Sequence, residues 1–110
     1  MSETAARPRR IDAADLDDEL AANDTLLVQF YTEGCSLCAA MESVAGNVGR
    51  EIGTPVVFVN PRDVAGMIEE YRITSVPTLV VFRDGEEVGR LADGFVSGDE
   101  LTAFVEKSLS

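Results

Sequence analysis

The sequence predicts an α/β domain with a central mixed sheet of about four strands, or five, and helices on both faces. Short apolar, β-rich segments alternate with segments of helical periodicity along most of the chain. An Asp-Gly pair at 84–85 is typical of a tight hairpin and joins the last two predicted strands. The length of 110 residues suits one domain, which we expect at 11–110 behind a flexible tail at 1–10.

The expected order of elements is α-β-α-β-α-β-β-α. Helices are expected at 11–22, about 35–50, 63–71 and 97 or 98–109, and strands at 26–31, 55–60, 78–83 and 86–92. Strands separated by helices are expected to be parallel neighbours, because right-handed crossovers join parallel strands, and the final hairpin adds an antiparallel edge. The second helix is expected to bury one stripe of side chains, formed by Leu37, Met41, Val44 and Val48.

The charge balance narrows the possible partners. The chain carries 20 acidic and 9 basic side chains, a net charge of -11, and Lys107 is its only lysine. Such a chain repels nucleic acid and anionic membranes, so we expect neither as a partner. An acid-rich, lysine-poor composition is typical of salt-adapted proteins, because salt screens the self-repulsion; a stability maximum below about 0.2 M salt would contradict this expectation. The alternative is an acidic cytosolic protein without salt adaptation.

The N-terminal segment and the early acidic run carry no site in this interpretation. The basic residues at 7–10 are expected to belong to a frayed tail rather than to a recognition arm. No apolar stretch follows them, so we expect no secretory signal and a cytoplasmic location. The carboxylates at 15–19 diverge around a helix, which predicts a solvated face rather than a metal site.

Cys35 and Cys38 are the candidate reactive residues. They follow a predicted strand and open a predicted helix, where a spacing of three brings their sulfurs within bonding reach. Unpaired N–H groups at a helix start favour the thiolate, which is the form that attacks disulfides. Cys38, one turn further in, is expected to be more buried. The pattern predicts a dithiol–disulfide centre in which Cys35 attacks and Cys38 resolves the mixed disulfide.

Two other interpretations of the pair stay open. Zinc normally takes four ligands, and the chain has two cysteines and no histidine, so a metal or iron–sulfur site would need two subunits. The pair could also be buried and inert. We expect no metal and no cofactor other than the Cys35–Cys38 disulfide.

Several segments together resemble the thioredoxin family. These are 27–31, the Cys35/Cys38 pair, Val76-Pro77-Thr78, the strand to Phe82, Asp84-Gly85 and Gly94, in the family's order and spacing over about 26–109. The resemblance implies a thioredoxin fold and a cis Val76–Pro77 bond lying against the cysteines. It also implies that the Val76 backbone pairs with an extended substrate segment. The substrate-binding positions it implies are Gly34, Ser36, Val76, Pro77 and Gly94, with Gln29 and Glu33 as auxiliary positions.

The chain departs from the family's pattern around the cysteines. Gly34 stands where the family has Trp, Ser36-Leu37 replaces Gly-Pro, and Ser43 replaces a helix-kinking proline. The family's buried aspartate and its lysine partner are replaced by Gln29 and Phe58, so both charges of a buried pair are absent together.

These departures have expected consequences for both thiols. Cys38 is expected to deprotonate less readily, with water or Glu42 as the acceptor of its proton. Glu33 is expected to oppose thiolate formation at Cys35, whereas Ser36 could donate a hydrogen bond to a sulfur. The net direction of the redox shift stays open.

The expected function is reduction of protein disulfides by a monomer that a separate thioredoxin-reductase-type donor recharges. The alternative is a thioredoxin-like binding or redox-sensing module dedicated to one partner. The missing Trp, Asp and Lys favour this alternative, and trapping with a Cys38→Ser variant distinguishes the two.

Overall fold

A computed structural model describes residues 8–110. Its strands are β1 (Arg9–Arg10), β2 (Thr25–Phe30), β3 (Val56–Val59), β4 (Thr78–Arg83) and β5 (Glu86–Leu91). Its helices are α1 (Leu16–Ala22), α2 (Ser36–Ile52), α3 (Met67–Glu70) and α4 (Gly98–Leu109). Two 3-10 turns, Ala13–Asp15 and Pro61–Asp63, precede α1 and α3. The predicted α/β class and mixed sheet are confirmed.

The five strands form one sheet in the order β1-β3-β2-β4-β5. β3 runs parallel to β2 and β4 runs antiparallel to it, while β5 pairs antiparallel with β4. The expectation that β3 and β4 would be parallel neighbours is wrong. β1 and β2 occupy the two edges of β3, so β4 pairs with the other side of β2 and reverses direction there.

β1 corrects the predicted boundary of the tail. Arg9 pairs with Val57 and Arg10 with Phe58, and the Ile11 N–H donates to the Phe58 carbonyl at 3.1 Å. This pairing satisfies backbone groups that the edge of β3 would otherwise expose. A strand of two residues has no periodicity that a sequence pattern could reveal. Residues 1–7 of the predicted tail lie outside the described residues.

The sheet separates two hydrophobic cores because successive strand residues face opposite sides. One core joins α2 and α4 to the sheet through Leu27, Met41, Val48, Leu101 and Val105. The other joins α1 and α3 to it through Leu16, Val28, Phe30, Met67 and Phe82. Packing on both faces of the sheet thus fixes the position of the start of α2 relative to the end of β2.

Three helices differ from their predicted form. The segment predicted as a helix at 11–22 begins with a 3-10 turn, and the segment at 63–71 is α-helical only in α3. A tight turn at Pro61–Asp63, where the Asn60 side chain accepts from the Arg62 N–H, precedes this segment, and Gly66 with a φ of 87° delays the start of α3 to Met67. In α2 the buried stripe contains Met41 and Val48 as predicted, but Leu37 is 50% exposed. Cys38 takes the inward position in that turn.

Candidate active site

The cysteine pair lies where the chain passes from β2 to α2. Gly34 turns the chain with a φ of 81°, a left-handed conformation that glycine adopts without steric cost. Cys35 is the N-cap of α2, and its Sγ accepts a hydrogen bond from the Cys38 N–H at 3.1 Å. The sulfur therefore satisfies one of the N–H groups that the first turn of a helix leaves unpaired.

A disulfide joins Cys35 to Cys38, and the two residues differ in exposure. Their Cα atoms are 5.2 Å apart. Cys38 is 1% exposed and packs in the core below α2, whereas Cys35 is partly accessible. The predicted difference in burial is confirmed. Another thiol can approach the sulfur of Cys35 more easily than that of Cys38.

The Val76–Pro77 peptide bond is cis, as the resemblance implied. Thr78, the first residue of β4, pairs with Phe30, the last residue of β2. This antiparallel register brings the start of β4 to the end of the sheet where the cysteines lie. The Thr78 hydroxyl donates to the Ser75 carbonyl at 2.6 Å and ties the turn together.

A cavity of about 260 Å³ opens beside the disulfide. Among the predicted site residues, its border includes Glu33, Gly34, Cys35, Ser36 and Cys38. Val76 borders a second opening of about 160 Å³, which shares Thr32 with the first. Pro77 and Gly94 border neither opening. Gly94 follows β5, whose last residue Leu91 pairs with Leu79 near the start of β4, so the strand pairing directs it to the same end of the sheet.

Gln29 lies beneath the second cysteine. Its side chain is fully buried, and its Nε2 donates to the Cys38 carbonyl at 3.0 Å. Its Oε1 has no hydrogen-bond partner among residues 8–110. The paired position on β3 is Phe58, so these facing positions carry no charge. An amide does not act as a proton acceptor at neutral pH, so Gln29 holds the start of α2 without taking a proton from Cys38.

Arg10 is a cavity residue that the sequence interpretation placed in the tail. Its Nη2 donates to Glu42 Oε2 at 3.1 Å, and its Cζ lies 4.6 Å from the centre of the Tyr31 ring. All three side chains border the cavity beside the cysteines. The hydrogen bond with Glu42 raises the pKa of Arg10. Burial raises the pKa of Tyr31, opposed by the charge of Arg10 and reinforced by that of Glu33. The strand that carries Arg10, β1, has only two residues, which is too short for a sequence pattern to reveal.

The family model described as thioredoxin matches residues 8–107. The chain belongs to the thioredoxin family. A thioredoxin from Chlamydia pneumoniae is 30% identical over 91 residues, which cover 82% of this chain and 88% of that protein. A thioredoxin from Chlamydia caviae is 27% identical over 89% of this chain and 96% of its own length. A mutant thioredoxin from Halobacterium salinarum NRC-1 superposes with a TM-score of 0.84 at 26% identity, covering 96% of this chain and 94% of its own.

Membership in the thioredoxin family and the Cys35–Cys38 disulfide make this chain a thiol–disulfide oxidoreductase. Thioredoxins in general act on disulfide-containing proteins, receive electrons from a reductase, and need no cofactor beyond the redox-active disulfide. Within residues 8–110, no group of three or more His, Cys, Asp or Glu side chains is arranged to hold a metal ion. In the same range, no helix combines the length and the apolar character needed to cross a bilayer.

Proposed function

We propose that this thioredoxin-family protein reduces protein disulfides, with Cys35 as the attacking thiol and Cys38 as the resolving thiol. The difference in exposure between the two residues is the observation that carries this assignment. The N-terminus of α2 supports it, because N–H groups and the helix dipole favour a thiolate at the N-cap.

The proposed cycle transfers two electrons. The Cys35 thiolate attacks one sulfur of a substrate disulfide; that bond breaks, and the departing sulfur takes a proton from water. Cys38 then loses its proton and attacks the Cys35 sulfur of the mixed disulfide. The bond between Cys35 and the substrate breaks, and the second substrate sulfur leaves as a thiolate. The substrate is now a dithiol and the protein is a disulfide, to which a separate reductase returns two electrons.

The proposed substrate surface surrounds Cys35. An extended substrate segment would pair with the backbone of Val76, as in strand addition. The positions that would contact it are Gly34, Ser36, Val76, Pro77 and Gly94. Leu37 and Phe95, each 50% exposed, would supply apolar contact that Gly34 does not. Glu33 and Gln29 would act indirectly, Glu33 through its charge and Gln29 by fixing the Cys38 backbone.

Insulin reduction driven by dithiothreitol at high salt tests the reductase proposal. We expect turnover above the dithiothreitol background, abolished in a Cys35→Ser variant. If the Cys35–Cys38 disulfide forms and can be reduced while insulin reduction stays at background, the chain is not a general reductase. The reduction potential gives a second test: a value near about -270 mV supports a reductase, and one above roughly -180 mV an oxidant or isomerase.

A dedicated binding or redox-sensing module is the second candidate function. Departures from the family's pattern favour it, because Gly34 stands where the family has Trp and the facing positions Gln29 and Phe58 carry no charge. Trapping distinguishes the two candidates. A Cys38→Ser variant cannot resolve mixed disulfides, so a general reductase would accumulate many captured proteins and a dedicated module would accumulate one or none.

We propose further that the protein acts as a monomer in the cytoplasm of a salt-adapted cell. The net charge of -11 supports salt adaptation, and a similar structure comes from Halobacterium salinarum. Unfolding midpoints measured across sodium chloride concentrations test it. Stability should rise with salt, since screening shortens the range of self-repulsion. A maximum of stability below about 0.2 M salt would exclude salt adaptation.

A further inference from the structure

Arg10 reaches the redox cavity from the sheet edge. Its backbone pairs with Phe58 in β3, which fixes where the side chain starts. The guanidinium then lies between Glu42, at 3.1 Å, and the face of Tyr31, at 4.6 Å. Contacts with a carboxylate and an aromatic ring hold the positive charge at the cavity border. The Arg10 side chain is 53% exposed, so its ion pair with Glu42 contributes little to the stability of the fold. The main consequence of the pair is the positive charge that it holds at the cavity.

The charges around Cys35 come from several elements. The loop before α2 contributes Glu33, α2 contributes Glu42, and β1 contributes Arg10; Tyr31 and Cys38 are the other titratable groups on the cavity border. Arg62 borders the adjoining opening, and Asp63 acts on Tyr31 from the same turn. Of the charged side chains that border the cavity, Arg10 is the cation that opposes the two carboxylates.

The cavity is small enough for these charges to act on the cysteine sulfurs. Arg10, Glu33 and Glu42 border the same cavity of about 260 Å³ as Cys35, and charges separated by about one Debye length, about 8 Å in physiological salt, still interact. Only a thiolate attacks disulfides, and nearby negative charge disfavours it. With the guanidinium removed, Glu33 and Glu42 would act on the Cys35 sulfur without compensation.

We propose that Arg10 is a positioning residue for the redox centre, which offsets the charges of Glu33 and Glu42 and thereby keeps Cys35 reactive. The proposal rests on the proposed role of Cys35 as the attacking thiol. A unit charge about 8 Å away in a water-like dielectric alters the thiolate population about twofold to threefold without screening, and about 1.4-fold at about 0.15 M salt. Arg10 therefore adjusts how readily Cys35 attacks its substrates.

The test follows the pH profile of iodoacetamide alkylation at Cys35, in reduced full-length protein at about 0.15 M salt. We expect Arg10→Gln to move the profile to higher pH and to slow alkylation at pH 7 about 1.4-fold. Glu42→Gln should move it to lower pH, and the double variant should return towards the wild type. Arg10→Lys should retain most of the wild-type rate, and about 1 M salt should reduce all differences, since screening then acts over about 3 Å.

Arg9→Gln is the matched control. It removes the same charge from the same strand, but Arg9 pairs with Glu19 and does not border the cavity. We expect it to leave the profile unchanged. An unchanged profile in Arg10→Gln, an equal shift in Arg9→Gln, or a shift in the same direction in Glu42→Gln would overturn the proposal. Should Arg10→Gln not fold, Arg10→Lys and Glu42→Gln decide it. Alkylation of Cys38 before Cys35 in the wild type would instead contradict the proposed roles of the cysteines.

Discussion

Replacing Gln29 with leucine is expected to stabilise the fold by about 1 kcal/mol, despite the loss of a buried hydrogen bond. Gln29 is fully buried, its Nε2 donates to the Cys38 carbonyl at 3.0 Å, and its Oε1 has no partner in the described part of the chain. Leucine has a similar volume and would join the core formed by neighbours such as Leu27 and Met41.

The expected gain in stability is the difference between the cost of the unpaired Oε1 and the contribution of the Nε2 hydrogen bond. A buried polar atom without a partner costs about 1–3 kcal/mol, whereas a typical buried hydrogen bond contributes about 0.5–1.5 kcal/mol. Leucine removes both. The Cys38 carbonyl lies in the first turn of α2, where a helix supplies an N–H from four residues further on, so the carbonyl keeps a partner.

Urea unfolding of the oxidised protein is the assay. The midpoint should rise at unchanged m, which reports a change in stability rather than in the unfolded state. Gln29→Ala is the control at the same position, and it should be about 2–5 kcal/mol less stable than Gln29→Leu because it leaves a cavity. A loss of more than about 1 kcal/mol in the leucine variant would show that Oε1 is paired in solution and would refute the reasoning.

Three further predictions concern the helices and the hairpin. Gly49→Ala should cost about 1–3 kcal/mol in urea unfolding, because a Cβ there would lie 2.9 Å from the Thr54 carbonyl and overlap Val56; Gly98→Ala, whose Cβ meets nothing closer than 3.8 Å, should be tolerated. Ser97→Ala should cost about 0.5–2 kcal/mol, since it removes the side-chain oxygen that caps α4; equal midpoints for variant and wild type would contradict this. The hydrogen bond from Arg90 lowers the pKa of Glu87 below its usual 4.5. The hydrogen bond therefore stabilises the fold fully above pH 4.5, and this stabilisation is lost as the pH falls further. Because the side chain is 38% exposed, the free energy of unfolding of Glu87→Gln should fall below that of the wild type by at most about 1 kcal/mol at pH 7, and the difference should shrink as the pH falls below 4.5.

The chemistry of the cysteine pair was accessible from the sequence because it depends on local structure. A cysteine at a strand-to-helix junction and another three residues later determine the N-cap position, the disulfide and the difference in burial. The cis bond before Pro77 came from the family resemblance, because no local pattern distinguishes it from a trans bond. Arg10 escaped detection, since its nearest partners Tyr31 and Glu42 are distant in sequence and meet it only through β1.

By itself the sequence determined the elements that rest on local preferences. The Asp84-Gly85 hairpin, the helix that begins after Ser97 and the strand before Cys35 follow from turn chemistry, capping and apolar patterning, which act between residues close along the chain. Only the tertiary structure decided the strand order, the reversal of β4 and the pairing of β1 with β3. These depend on which sheet edge offers free backbone partners, a choice made between segments far apart. That choice places Arg10 at the border of the cavity beside the cysteines, and with it the charge that we propose adjusts the reactivity of Cys35.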